Sequence, residues 1–145
     1  MTNSNAVPKV YWIVTAIGIL WNLMGVVQFF LEFNYWKNPE SRGSLPQDMS
    51  PYYDSIPSLL YLVFAIAVAT GLLGCIGLLL RKAWAVPIFL VSLVTVIFQM
   101  AYNLIGSELI SVVGTKAAIM PVLVMLIALG LYLYAKRAAK IGWLV

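Results

Sequence analysis

Four long stretches of the chain contain no charged side chain, and they constrain its fold more than any other feature. Residues 10–31, 55–80, 83–107 and 117–135 hold no Asp, Glu, Lys or Arg across 22, 26, 25 and 19 positions. A helix of about 20 apolar residues is long enough to cross the hydrocarbon core of a bilayer. The first stretch is too long for the apolar core of a signal peptide, so we expect it to be retained as a span. The sequence therefore predicts an integral membrane protein with four transmembrane helices.

These stretches predict an all-α fold, a four-helix transmembrane bundle that runs up-down-up-down as a single membrane domain over residues 1–145. The expected spans are residues 10–33, 57–80, 83–106 and 117–137, and an outer loop covers residues 34–56. In that loop, Ser50 as N-cap and Pro51 as the first helical residue predict a short helix on the outer surface. The similarity between "WNLMG" (21–25) and "YNLIG" (102–106) leaves open an origin of the bundle from two tandem helical hairpins.

The charged residues divide between the two sides of the predicted bundle. One side carries basic residues without acids: Lys9, Arg81, Lys82, Lys136, Arg137 and Lys140. The other side carries all five acids with three basic residues: Glu32, Glu40, Asp48, Asp54, Glu108, Lys37, Arg42 and Lys116. Short basic loops face the cytoplasm, so both termini are expected there. The net charge of +4 is thus a determinant of orientation, and we expect no nucleic-acid partner.

Residue types that serve catalysis and metal binding are scarce. The sequence has no histidine and a single cysteine, Cys75, which lies inside the second predicted span. Haem, zinc, copper and iron–sulfur sites therefore lack their usual ligands, and we expect no cofactor and no metal. No pair of nucleophile and general base can be assigned, so the protein is not expected to be an enzyme.

Polar side chains nevertheless follow one face of two predicted spans. In the first span the polar and small residues fall within about 140° of a helical wheel: Thr15, Gly18, Asn22, Gly25, Gln28 and Glu32. In the third span the corresponding residues fall within about 80°: Ser92, Thr95, Gln99, Asn103 and Gly106. Turning both faces inward would line a pocket that opens to the outer side, and Tyr102 lies near its mouth. The candidate ligand-binding residues are Asn22, Gln28, Glu32, Gln99, Tyr102 and Asn103.

Each candidate also has a structural interpretation. Asn22, Gln99 and Asn103 would serve as hydrogen-bonding contacts between helices, and Tyr102 would belong to an interfacial aromatic belt. Glu32 would mark the outer end of its span, although a carboxylate at the membrane edge indicates function by default. The hydroxyls of Thr15, Ser92 and Thr95 are able to bond carbonyls of their own helices. In the second span, small residues predict close helix packing: Gly71, Gly74 and Gly77.

Several segments resemble a family of small four-span bacterial inner-membrane proteins of unknown function, often labelled sugar transporters. The resemblance is carried by "WNLMGVVQFF" with its Trp-Asn-x-x-Gly element, by the "RKAWAVP" link and by "GLYLYAKRAAKIG". It implies a bacterial inner (plasma) membrane, in which the charge distribution described above would place both termini in the cytoplasm. Members of the family often carry an acid where Gln28 stands here, which shifts any proton-coupled role to Glu32. The resemblance implies no mechanism.

Two functions follow as hypotheses. The first is binding or transport of a small polar solute through the outward-facing pocket, where amides and an acid suit a hydroxylated ligand. Four helices of this length leave little room for a translocation pathway within one chain, so transport would require a homodimer. The alternative is a non-catalytic subunit of a larger membrane complex. The lipid bilayer is the partner common to both.

Overall fold

The computed structural model describes residues 6–145, and within that range the chain is helical without strands. The prediction of an all-α four-helix transmembrane bundle is confirmed, because four helices of this segment are long and apolar enough to cross a membrane. The chain is therefore a membrane protein. The spans are α1 (Lys9–Lys37), α3 (Ser58–Leu79), α4 (Ala85–Ala101) with its π-helical extension Tyr102–Gly106, and α6 (Ile119–Ile141).

Short helices fill the connections at one end of the bundle. They are a 3₁₀ helix (Pro39–Ser44), α2 (Ser50–Ser55), α5 (Leu109–Val113) and a second 3₁₀ helix (Thr115–Ala118). We call this end, which holds the loop between α1 and α3, the loop end; the opposite end, with the α3–α4 connection, is the link end. The short helix expected after Pro51 is present, but Ser50 is its first residue and not its cap. Instead, the Asp48 carboxylate accepts a hydrogen bond from the Ser50 N–H at 2.9 Å, because Asp48 lies two residues before the start of the helix.

The helices pack in the order α1, α3, α4, α6, and α3 and α4 approach closely near the link end. A Cβ atom built on Gly74 of α3 would lie 2.7 Å from the ring of Phe89, and one on Gly77 would lie 2.8 Å from Cβ of Ala85. Glycine therefore lets α4 approach the backbone of α3. The buried cluster at this end contains Tyr11, Cys75, Leu78, Ala85, Phe89, Ala135, Ala138 and Leu144.

The last residues of the chain pair with the link between α3 and α4. The Val145 N–H donates to the Arg81 carbonyl at 2.7 Å, and the Ala83 N–H donates to the Val145 carbonyl at 3.0 Å. The Arg81 side chain donates through Nε to the Trp143 carbonyl at 2.9 Å. These bonds close the link end around the Tyr11 ring, whose hydroxyl donates to the Leu78 carbonyl.

By contrast, α1 and α6 meet near the link end and separate toward the loop end. A Cβ on Gly18 would lie 3.2 Å from Leu131, and the rings of Tyr11 and Tyr134 are 6.2 Å apart, so the two helices are in contact there. Farther along, side chains of both helices border a shared cavity and do not form a packed seam. The bundle is thus closed at the link end and open between α1 and α6 at the loop end.

Arg42 holds the loop over the open end. It is 8 % exposed, unusually buried for an arginine in a loop. Its Nε donates to the Tyr35 carbonyl at 2.7 Å, and its Nη1 pairs with Asp54 at 2.9 Å. The guanidinium also lies 5.2 Å from the centre of the Tyr53 ring. Arg42 thereby joins the end of α1 to α2 and fixes the loop above the helices.

Candidate functional site

A cavity of about 560 Å³ lies among the four spans in the loop-end half of the bundle. All four spans contribute to its wall, while Met49, Tyr52 and Ile56 from the loop form its roof. Its volume is that of a site for a small organic molecule. Most of the wall is apolar, with polar groups confined to a few positions. The hydrophobic residues that face outward on α1 and α6 leave the opening between them bordered by lipid-facing surface.

Five of the six candidate ligand-binding residues line this one cavity. They are Asn22, Gln28, Glu32, Gln99 and Asn103. The sixth, Tyr102, lies outside the wall: its hydroxyl donates to the Ser55 carbonyl at 3.2 Å, and its ring packs beneath the loop. Tyr102 begins the π-helical turn Tyr102–Gly106 and contacts the loop rather than the cavity wall. A ligand-binding role for Tyr102 stays a prediction. Whether the five others bind a ligand stays a prediction.

Asn22 connects α1 to α3. Its Nδ2 donates to the Gly18 carbonyl at 2.8 Å and to the Cys75 sulfur at 3.3 Å. Its Oδ1 lies against Gly71, where an added Cβ would come within 2.1 Å. The structural interpretation of Asn22 as an interhelical contact therefore has direct support in its hydrogen bonds, and the residue adds one polar surface to the deep end of the cavity.

The hydroxyl groups on the two polar faces donate hydrogen bonds either within their own helix or to a neighbouring helix. Thr15 and Thr95 donate to the carbonyls of Tyr11 and Val91 in their own helices, both at 2.9 Å. Ser92 instead donates across the bundle to the Ala67 carbonyl of α3 at 3.1 Å. Because these hydroxyl groups already have acceptors, they do not require a ligand.

Gln99 and Asn103 are different, because parts of their side chains lack partners. They are 5 % and 9 % exposed, and within residues 6–145 the Gln99 Oε1 and the Asn103 Oδ1 are buried without a hydrogen-bond partner. Tyr61 is 6 % exposed, and its hydroxyl is likewise buried without a hydrogen-bond partner among these residues. Buried polar atoms without partners are rare and costly, by roughly 1–3 kcal/mol each. All three residues line the cavity.

Glu32 and Gln28 form the polar edge of the cavity on α1. Gln28 Nε2 donates to Glu32 Oε1 at 2.8 Å, a contact that the spacing of four residues on a helix permits. In the part of the chain that the structure describes, no cationic side chain lies within 4 Å of this carboxylate, because Arg42 is paired with Asp54. Glu32 stands five residues before the end of α1, about 8 Å along the helix axis from Lys37.

Tyrosines of α2 cover the Glu32 carboxylate from the loop side. Burial raises the pKa of Tyr52 well above its ordinary value, and the charge of Glu32 raises it further. Burial, and after it the charge of Glu32, also raises the pKa of Tyr53. Both phenols therefore stay protonated and are available as hydrogen-bond donors. Tyr52 also borders the cavity, so a donor and an acceptor stand near each other at its mouth.

The cavity wall contains aromatic residues that are not among the candidates predicted from the sequence. Besides Phe89 of the link-end cluster, they are Trp21, Tyr52, Tyr61 and Phe64. A signal existed for Trp21, since it falls between Gln28 and Glu32 on the helical wheel of α1. For the other three, only the packing of α2 and α3 against α1 decides which face they present. The rings of Trp36 and Tyr61, with centres 4.6 Å apart, hold this side of the wall in place.

The fold and the cavity together define a polytopic membrane protein with an internal, mostly apolar cavity that carries a few polar groups. Among the described residues no group of three or more His, Cys, Asp or Glu side chains is placed to hold a metal ion. Searches against protein-family models, curated proteins and solved structures found no match. The resemblance to the four-span bacterial family therefore stays a prediction.

Proposed function

We propose that this protein binds a small molecule with a polar head group in the cavity among its four spans. The single observation that carries the proposal is the set of buried polar atoms without partners. Tyr61, Gln99 and Asn103 each carry one such atom, and all three residues line the same cavity. A ligand that carries donor groups, such as a hydroxyl, amide or ammonium group, would satisfy these oxygens and offset the cost of burying them.

The proposed role is binding without a chemical step. The polar groups of the residues that line the cavity are carboxamides, phenols, the Ser92 hydroxyl, the Trp21 indole and one carboxylate, which suit recognition by hydrogen bonds. We place the protein in the bacterial inner membrane with its loop end outward, since the basic residues are concentrated at the link end. Because the packed cluster around Tyr11 and Phe89 closes the link end, transport would require a rearrangement or a second copy of the chain.

The test is ligand binding to the protein in lipid nanodiscs, read as thermal stabilisation by tryptophan fluorescence. The panel consists of compounds that share one apolar body and carry a hydroxyl, an amide, an ammonium or a carboxylate group. A compound present at 100 times its Kd stabilises the folded state by about 2.7 kcal/mol. We expect at least one member to stabilise the protein with a saturable, single-site dependence on concentration.

Two variants, each with one alanine replaced by phenylalanine, make the test specific to the cavity. Ala128 of α6 lines the cavity, so Ala128→Phe should fill part of it and abolish the stabilisation. Ala69 of α3 is exposed on the outside of the bundle, so Ala69→Phe should leave the stabilisation unchanged. The proposal fails if no compound binds, or if Ala128→Phe binds as the unaltered protein does. Co-purification of a stoichiometric protein partner in that case would favour the alternative, an assembly subunit.

A further inference from the structure

The charges at the loop end set the first condition on what the cavity holds. Glu32 contributes a carboxylate to its wall, and within residues 6–145 the nearest ion pair, between Arg42 and Asp54, leaves that carboxylate without a cation. Five acidic and three basic side chains occupy the loop end, so the region around the mouth carries a net negative charge. A mouth of this sign attracts cations and repels anions.

The aromatic walls set the second condition. Trp21, Tyr52, Tyr61 and Phe64 line the same cavity as Glu32, and Glu32 lies close enough to Tyr52 and Tyr61 for its charge to act on them. The faces of aromatic rings attract cations, by about 0.5–1 kcal/mol at exposed sites and more where water is excluded. Rings beside an unpaired carboxylate therefore recognise an organic cation better than they recognise a metal ion, which would require several oxygen ligands. The carboxamides of Gln99 and Asn103 add acceptors for N–H or O–H groups of the same ligand.

The shape of the bundle sets the third condition. The cavity borders the space where α1 and α6 separate, and the residues of α6 along it are apolar: Met120, Pro121, Val124, Ile127, Ala128 and Leu131. An apolar body attached to the cation would lie along this side, with its charged group at Glu32. A molecule of this kind partitions into the bilayer and can enter between α1 and α6 without crossing the loop.

We infer that the ligand is an amphipathic organic cation, whose charged nitrogen or phosphorus centre pairs with Glu32 and whose apolar body lies against α6. This inference rests on the proposed function, because it names the class of molecule that the cavity binds.

The experiment uses two probes of the same shape and opposite charge, tetraphenylphosphonium and tetraphenylborate, with neutral triphenylphosphine oxide as a third. Binding is measured on the full chain in nanodiscs of phosphatidylcholine, with empty nanodiscs subtracted. We expect tetraphenylphosphonium to bind at one saturable site, at least about tenfold tighter than either other probe. This comparison requires no variant, so it stands even if a substitution impairs folding.

Two matched variants then locate the charge. Glu32→Gln should weaken tetraphenylphosphonium binding at least about tenfold and leave the neutral probe unchanged. Glu40→Gln removes an exposed acid of the same loop end that lies outside the cavity wall, and it should leave both unchanged. Equal binding of the three probes, tighter binding of the borate or neutral probe, or no effect of Glu32→Gln overturns the inference. If any of those probes still responds to Ala128→Phe, the proposed function stands. If none of the three probes binds, the inference is overturned, and the panel of polar compounds decides the proposed function separately.

Discussion

Gly71 offers the sharpest test of how the middle of the bundle is packed. A Cβ built at this position would lie 2.1 Å from the Asn22 Oδ1 and 3.3 Å from the Ser92 Oγ. The first distance is far inside van der Waals contact, so the substitution Gly71→Ala forces the Asn22 carboxamide out of its place. The bond from Asn22 Nδ2 to the Cys75 sulfur, 3.3 Å long, is then lost.

The expected cost follows from three contributions. An interhelical hydrogen bond in a membrane contributes about 0.6–1.7 kcal/mol, and inserting a methyl group into a packed core costs about 1–3 kcal/mol. Alanine offsets up to about 1 kcal/mol of this, because it favours a helix more than glycine does. We therefore expect Gly71→Ala to lower the free energy of unfolding by about 2 kcal/mol, within a range of about 1–4 kcal/mol.

The assay is equilibrium unfolding in mixed micelles by titration with sodium dodecyl sulfate, followed by tryptophan fluorescence. Gly130→Ala is the matched control, since no atom of residues 6–145 outside its own helical turn lies within 4 Å of a Cβ at that position. In an Asn22→Ala background the obstruction is gone, so adding Gly71→Ala should cost less than about 1 kcal/mol, which makes the pair strongly non-additive. Equal effects of the two alanines, or costs that simply add in the double variant, would refute this account of the contact.

Three further predictions concern the loop end. Arg42→Lys should speed hydrogen exchange across α2, because lysine cannot reproduce the bonds of the guanidinium; Asp54→Asn should do so less, since that carboxylate is 70 % exposed. The bond from the Ser50 amide lowers the pKa of Asp48, so this acid stabilises α2 above its unfolded pKa of about 4 and ceases to do so as pH falls through its folded pKa. An NMR titration of the Ser50 amide should show this midpoint, and it should disappear in Asp48→Asn. Burial, and after it the charge of Glu32, raises the pKa of Tyr53. The free energy of unfolding should therefore fall as pH rises above the unfolded pKa of tyrosine, about 10. A pH series of the unfolding titration should show a smaller fall in Tyr53→Phe.

The spans were predictable because an uncharged apolar run of about 20 residues matches the thickness of a bilayer and is rare outside membrane helices. Even so, α1 continues to Lys37, four residues past the predicted boundary at 33. The rings of Phe33 and Trp36 in this last part of α1 pack against the ring of Tyr61 in α3. The helical wheel also placed five of the candidate residues on faces that meet at one cavity. Periodicity suffices for this, because in a bundle polar faces turn away from lipid.

Other features depend on tertiary contacts that no local pattern reveals. Arg42 reads in the sequence as one basic residue of a loop, whereas in the fold it connects α1 to α2. The π-helical turn Tyr102–Gly106 ends the third span, and nothing in the residue pattern marks where it begins. The two similar motifs also take different places, since Asn22 lies midway along α1 while Asn103 lies in that terminal turn.

The size of side chains along the bundle axis explains why one end is closed and the other open. At the link end, Gly74, Gly77, Ala85, Ala135 and Ala138 let α3, α4 and α6 approach closely, and the ring of Tyr11 fills what remains. At the loop end the positions that face the cavity hold larger side chains, aromatic and polar ones on α1, α3 and α4 and apolar ones on α6, around a space that they do not fill. The loop end is instead stabilised by its roof, through the contacts of Arg42 and the tyrosine cluster of α2. Because this support does not depend on contact between α1 and α6, these two helices can separate at the loop end while the link-end cluster stays packed. The same division of packing therefore leaves the cavity among the spans and, under the inference above, the side on which an amphipathic ligand would enter.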